Sequence, residues 1–158
     1  PYFYISHNIN KNTVLKKIIF LCTGNSCRSQ MAEGFAKSFL KGTSCLISSA
    51  GLVAHGVNKM AVQVMNEVGI DISKQMSNSL DSVDVNDFEL VVTVCNNAKD
   101  NCPFIFHNKI IHKHFDDPAA VKGTVEEKIV VFRQVRDQIE NMVKKIITNY
   151  DRICLELN

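Results

Sequence analysis

No apolar run in this 158-residue chain exceeds about five residues. Crossing a bilayer takes roughly 18, so the sequence predicts no membrane span. Lys16 and Lys17 interrupt the one N-terminal stretch that could serve as an export signal. Blocks of one charge sign are missing as well: 18 Lys and Arg are interspersed with 16 Asp and Glu, leaving a net charge of +2. A nucleic-acid surface needs a basic patch or stripe, so neither DNA nor RNA is an expected partner. Internal repeats and low-complexity tracts are absent, so neither competes with a globular reading. Six cysteines stand at positions 22, 27, 45, 95, 102 and 154. With no export signal, a cytoplasmic location is expected, where such thiols are free, catalytic or metal-bound.

The residues present suit one globular domain, with 46% hydrophobic and 22% charged side chains and no room for a second. Residues 1–15 are Asn-rich and aperiodic and are expected to form an extension, partly flexible, ahead of a single domain over 16–158. KKIIFLC is a short apolar run of the kind that forms a buried central strand. Met31, Ala32, Phe35, Ala36, Phe39 and Leu40 then recur at helical spacing until Lys41-Gly42. CLISSA repeats the strand signal, and NKMAVQVMNEVG the helix, with Asn58 as N-cap and Gly69 as the residue just past its end. LVVTVC and KIIHKH predict a third and a fourth strand. Thr124-Val-Glu-Glu127 has the form of a capping box, and Ile129, Phe132, Val135, Ile139, Met142, Val143, Ile146 and Tyr150 trace one face of a long helix. Alternating strands and helices predict an α/β fold with right-handed crossovers and a mostly parallel sheet.

Ligands of open α/β sheets bind beyond the carboxyl ends of the strands, where the stretch CTGNSCRS, Cys22–Ser29, falls. A loop wrapping onto a helix N-terminus turns several backbone N–H groups toward one point, in positive potential. Thr23, Gly24, Asn25, Ser26, Cys27, Arg28 and Ser29 are therefore candidate oxyanion-binding residues. Gly24 allows close backbone approach, and the Arg28 guanidinium can grip two oxygens at once. The same field favours a thiolate, and Ser29 can donate to it, which makes Cys22 the candidate nucleophile. Cys27 comes too late in the turn to attack, and a packed structural thiol is its expected role.

The motifs CTGNSCRSQMAEG, SAG at 49–51, HGVN at 55–58, LVVTVCNNAKDNCP at 90–103 and FDDPA at 115–119 occur in that order. Together they resemble the thioredoxin-coupled arsenate reductases of the low-molecular-weight protein tyrosine phosphatase family, from about Lys17 to Tyr150. The resemblance implies a four-stranded parallel sheet flanked by helices, Cys22 as nucleophile, Arg28 as anion clamp and Asp117 near the leaving group. It also implies arsenate as substrate, phosphate and sulfate as competing oxyanions, thioredoxin as reductant, and no tightly bound cofactor. Some relatives hold potassium through residues matched here by Asn25, Glu33 and Ser49. The carboxylate position of that site reads Asn78 and a threonine position reads Met76, so the potassium site is carried over only in part.

Arsenate reduction needs two electrons from thiols, so cysteines beyond the nucleophile are chemically required. Cys95 and Cys102 follow a strand that ends on the same side of the sheet as Cys22. Six residues separate them, wider than the two to four of zinc knuckles, which disfavours a metal pair. His107, His112 and His114 are read as packed or solvated rather than metal-bound. The implied relay runs from an arseno-cysteine on Cys22 to a Cys22–Cys95 disulfide and then a Cys95–Cys102 disulfide. As a helix, residues 95–102 would hold the two Cα atoms roughly 10 Å apart, beyond the ~7 Å a disulfide spans. Closing this pair is expected to unwind or fold back the segment and to carry the disulfide outward. Cys45 and Cys154 match no position with a role. The alternative reading is a low-molecular-weight tyrosine phosphatase, disfavoured because Ala119 and Ala120, rather than aromatic residues, follow Asp117-Pro118.

Overall fold

Residues 15–96 and 105–158 are described by the computed structural model. The run KKIIFLC forms β1 (Lys16–Cys22), with its last five residues buried. An apolar run without polar alternation is what a strand covered on both faces requires. It is followed by α1 (Arg28–Phe39), β2 (Cys45–Gly51), α2 (Lys59–Asn66), β3 (Leu90–Thr93), β4 (Ile110–His112), α3 (Val125–Thr148) and α4 (Tyr150–Glu156). The four strands form one sheet in the order β2-β1-β3-β4, and every pairing is parallel, as expected. From β1 the chain crosses to β2 on one side and later to β3 on the other. The strand order therefore reverses at β1, and the crevice beyond its carboxyl end is where such sheets bind ligands.

Strand alternation sorts the core into two layers. Ile18, Phe20 and Cys22 pack with Met31, Phe35, Phe132, Ile139 and Val143 of the helices on one face. Ile19 and Leu21 pack with Ala50, Phe88 and Val91 on the other, covered by residues from the 80–88 segment. The predicted third and fourth strands shrink to four and three residues. Among the described residues, β4 is a sheet edge and pairs with β3 alone. Among the described residues, no helix is long and apolar enough to cross a membrane.

Sequence signals for helix ends hold in detail. The Asn58 side chain accepts from the N–H groups of Met60 and Ala61. Gly69, at φ +79, lets its own N–H reach Asn66 O and the Ile70 N–H reach Met65 O, which closes the end of α2. The capping box at Thr124 is complete, with the Glu127 carboxylate returning to the Thr124 N–H. One expectation changes: the long helix ending at Tyr150 is broken at Asn149 (φ −107, ψ 14). The Asn149 side-chain amide donates to Lys145 O and so competes for the helix's own acceptors, and α4 restarts with Tyr150 still buried. Thr124→Ala should cost about 1 kcal/mol and Phe132→Ala about 3–5 kcal/mol in urea unfolding; equal costs would contradict this division between cap and core.

Candidate active site

Peptide planarity decides what the Cys22–Ser29 loop offers. In a trans peptide the C=O of one residue points opposite to the N–H of the next. The carbonyls of Thr23, Gly24 and Ser26 are each held outward, by the N–H groups of Val53, His55 and Asn58 at 3.2, 3.0 and 3.0 Å. The Asn25 carbonyl accepts from Gln30 Nε2 (3.2 Å) and Ser77 Oγ (2.9 Å). With four successive carbonyls drawn outward, the N–H groups that follow them, on Gly24, Asn25, Ser26 and Cys27, turn inward. Arg28 and Ser29 then open α1, whose first N–H groups have no partner within the helix. Such a concavity can cradle an oxyanion.

Asn25 holds this shape. It is fully buried, and with φ +46 it is the one described non-glycine residue in the left-handed region. Asn tolerates that conformation better than most residues. Its Oδ1 accepts from the Asn78 N–H (2.7 Å) and Gln30 Nε2 (3.0 Å). Its Nδ2 donates to Ser29 Oγ and Ser49 Oγ, each at 2.8 Å. Once Ser29 Oγ accepts that amide hydrogen, its own proton is directed to Cys22 Sγ, 2.8 Å away. The second amide hydrogen orients Ser49 in the same way toward Glu33 Oε2, at 2.5 Å.

Cys22, Thr23, Gly24, Ser26, Cys27 and Arg28 line a pocket of about 180 Å³ that His55, Asp117 and Ala119 complete. Sites for drug-sized ligands run to roughly 300–1,000 Å³, so this one suits a small inorganic ion. Arg28 is buried, and its NH1 donates to Phe115 O at 3.0 Å. Its NH2 lies 3.8 Å from Asp117 Oδ2. The other Asp117 oxygen accepts from the Ala119 N–H, which fixes the carboxylate at the pocket mouth. Gly24 has a reason that the sequence did not reveal: a Cβ there would lie 2.8 Å from His55 Nδ1. A Cβ on Gly51 would meet Asn25 N and Thr23 O at 2.7 Å.

A model of the low molecular weight phosphotyrosine protein phosphatases matches residues 17–153. The chain belongs to this family. It is 55% identical over 131 residues to an arsenate reductase of Bacillus subtilis (strain 168), covering 82% of this chain and 94% of that one. A solved arsenate reductase in the phosphate binding state is 35% identical, with a TM-score of 0.69 over 85% of this chain and 98% of its own. Another, in the oxidized state, is 32% identical, with a TM-score of 0.68 over 91% and 100%.

Within this family fold, Cys95 is fully buried and disulfide-bonded, while Cys22, Cys27, Cys45 and Cys154 are free thiols. In this disulfide-bonded state Cys95 itself is inside the core. Its position directly beyond β3, in the same core cluster as Val92 and Val94, keeps its sulfur inside. Cys102 and residues 97–101 of the expected relay segment lie outside the described residues, as do residues 1–14. Cys22 and Cys95 leave adjacent strands: Leu21 pairs with Thr93, and the Val94 N–H donates to Leu21 O at 2.8 Å.

Other sequence candidates are used locally. Both ring nitrogens of His107 are engaged, with Phe88 O and with the Lys109 backbone, and His112 Nδ1 bonds Thr93 Oγ1. Asn25, Glu33 and Ser49 do come together, but as a closed network and not as an open donor set. Glu33 binds the Lys37 ammonium at 2.5 Å, and the Asn78 amide donates to Ser49 O and Met76 O. With one carboxylate, already neutralised by Lys37, and two amides turned as donors, these residues do not fit a potassium ion. Gln30 and Ser77 were missed in the sequence because nothing periodic marks them, and Asn78 was read there only as a cation-site position. His55 carried only its place in the HGVN motif.

Burial, with Asp117 nearby as the second cause, pushes the Cys27 thiol from its usual 9.0 up to about 12. It stays protonated and inert in the loop, as the sequence suggested. The unfolded chain gives up this proton first, so Cys27 stabilises the fold below pH 9 and that contribution is lost as pH rises toward 12. Tyr150 and Cys154, also raised chiefly by burial, act in the same direction. The Cys27 contribution is at most about 4 kcal/mol. Urea midpoints for Cys27→Ala should therefore fall less between pH 9 and 12 than those of the unaltered chain. Separately, Asn25→Ala should weaken phosphate binding by roughly tenfold or more in calorimetry, since buried amide partners are left unmet.

Proposed function

We propose that the protein reduces arsenate to arsenite through three cysteines, with thioredoxin as the electron donor. The observation that carries this reading is the disulfide state of Cys95, one strand away from a free Cys22 inside an oxyanion-sized pocket. A phosphatase needs no second thiol, because water finishes its cycle, whereas reduction of arsenic(V) consumes a thiol pair. The arsenate reductase relatives point the same way.

The Cys22 thiolate, hydrogen-bonded by Ser29, attacks arsenic, and one oxygen departs as water, helped by Asp117 when that carboxyl is protonated. The loop N–H groups and Arg28 hold the remaining oxygens as charge moves onto them. Cys95 then attacks the Cys22 sulfur, and the sulfur–arsenic bond breaks with its electron pair on arsenic, which leaves as arsenite. The Cys22–Cys95 disulfide passes to Cys95–Cys102 when Cys102 attacks Cys95, and Cys22 is freed. Because the bonded Cys95 sulfur is buried, the incoming thioredoxin thiol attacks the Cys102 sulfur. Glu33 is neutralised by Lys37, so the cycle runs without added potassium.

The test is arsenate-dependent NADPH oxidation with thioredoxin and its reductase, against glutaredoxin with glutathione. Turnover is expected with the first couple, unchanged when sodium replaces potassium and competitively inhibited by phosphate. Cys22→Ser should abolish it, Arg28→Lys should weaken oxyanion binding, and Cys102→Ser should stop after one turnover with Cys22 and Cys95 joined in peptide maps. Multiple turnovers by Cys102→Ser would overturn the relay. Aryl phosphate hydrolysis without arsenate turnover would favour the phosphatase reading.

A further inference from the structure

A second cavity, of about 710 Å³, lies between β4 and the helices α3 and α4 and shares no lining residue with the pocket over Cys22. It exists because the edge strand is short. Only Ile111 of the three β4 residues joins the core on the helix side, so the sheet ends before the helices do. The cavity floor is apolar, made by Ile111, Phe115, Met142, Ile146 and Ile153. Lys113, His114, Lys145 and Arg152 also line it, and among the described residues no Asp or Glu does.

Those cations are largely uncompensated. Among the described residues, Lys113 and Lys145 form no ion pair, and Arg152 meets Glu156 only at 4.0 Å. Nearby carboxylates are engaged elsewhere: Glu140 with Lys144, Asp137 with Arg136, and Asp116 with Asn96. On a chain whose net charge is +2, three cationic side chains, Lys113, Lys145 and Arg152, around one apolar cavity are a local concentration of charge. Its volume falls in the usual small-ligand range of roughly 300–1,000 Å³. We propose that this groove binds an anionic amphiphile, a small molecule with one acidic headgroup and an apolar body. The headgroup sits among Lys113, Lys145 and Arg152, and the body lies on Phe115, Met142 and Ile153. Charge complementarity selects the headgroup, and the apolar floor gives the body area to bury.

The probe is 8-anilino-1-naphthalenesulfonate, titrated into the full chain with excess inorganic phosphate present to fill the Cys22 loop. Saturable one-to-one fluorescence enhancement is expected. The exposed double variant Lys113→Glu/Lys145→Glu should bind the probe roughly tenfold or more weakly. Lys41→Glu/Lys122→Glu, with the same change of net charge elsewhere, should bind as the unaltered chain does. The uncharged analogue N-phenyl-1-naphthylamine should also bind roughly tenfold or more weakly. The proposal is overturned by equal affinity in both double variants or by equal affinity for the uncharged analogue. It is also overturned by the absence of saturable binding, the result expected if an acidic protein is the true occupant.

Discussion

Everything at the site hangs on one buried amide in an uncommon backbone conformation. Asn25 sits in the left-handed region, where most side chains are strained, and the turn it makes is what bends the chain from the end of β1 back onto α1. Its side chain then ties together three segments remote in sequence: the start of α1 through Ser29 and Gln30, β2 through Ser49, and the 75–79 loop through Asn78. A glycine could make the turn, but it could not direct the protons of two serines. One of those protons goes to the candidate nucleophile and the other to Glu33. The geometry of the loop and the environment of its thiol thus have a common cause.

Around that amide, the chain spends carbonyls to leave N–H groups. Val53, His55, Asn58 and Ser77 draw four successive carbonyls of the loop outward. Of these, Val53, Asn58 and Ser77 hold the cradle without lining it, while His55 does both. This explains why the pocket tolerates no bulk behind it: Gly51 and Gly24 are places where a single added carbon would strike the loop or His55. Enclosed in this way, the pocket fits an inorganic oxyanion better than an aromatic ester. Ala119 rather than a ring at its mouth agrees with that size.

Two cysteines of the same loop show how placement divides chemistry between identical groups. Cys22 ends a strand and meets the Ser29 hydroxyl at 2.8 Å. Cys27, five residues later, is buried beside Asp117, and burial keeps its proton in place. Cys95 gains its prospects from the sheet: β3 lies next to β1, and that adjacency sets Cys22 and Cys95 beyond neighbouring strand ends without any sequence proximity.

By itself the sequence determined the alternation of strands and helices, the helix caps at Asn58, Gly69 and Thr124, the buried stripe of α3, and the loop that carries Cys22 and Arg28. These are local matters: side-chain period, turn chemistry and the grouping of a thiol and a guanidinium within seven residues. The break at Asn149 escaped because one side-chain bond decides it. Only the tertiary structure decided why Gly24 and Gly51 must be small, how Gln30, Ser77 and Asn78 serve Asn25, and that Lys37 closes the would-be cation site. Each of these depends on a contact between segments far apart in the chain. Such contacts leave no period in the sequence, because strand order and crossover, rather than local propensity, choose which residues meet.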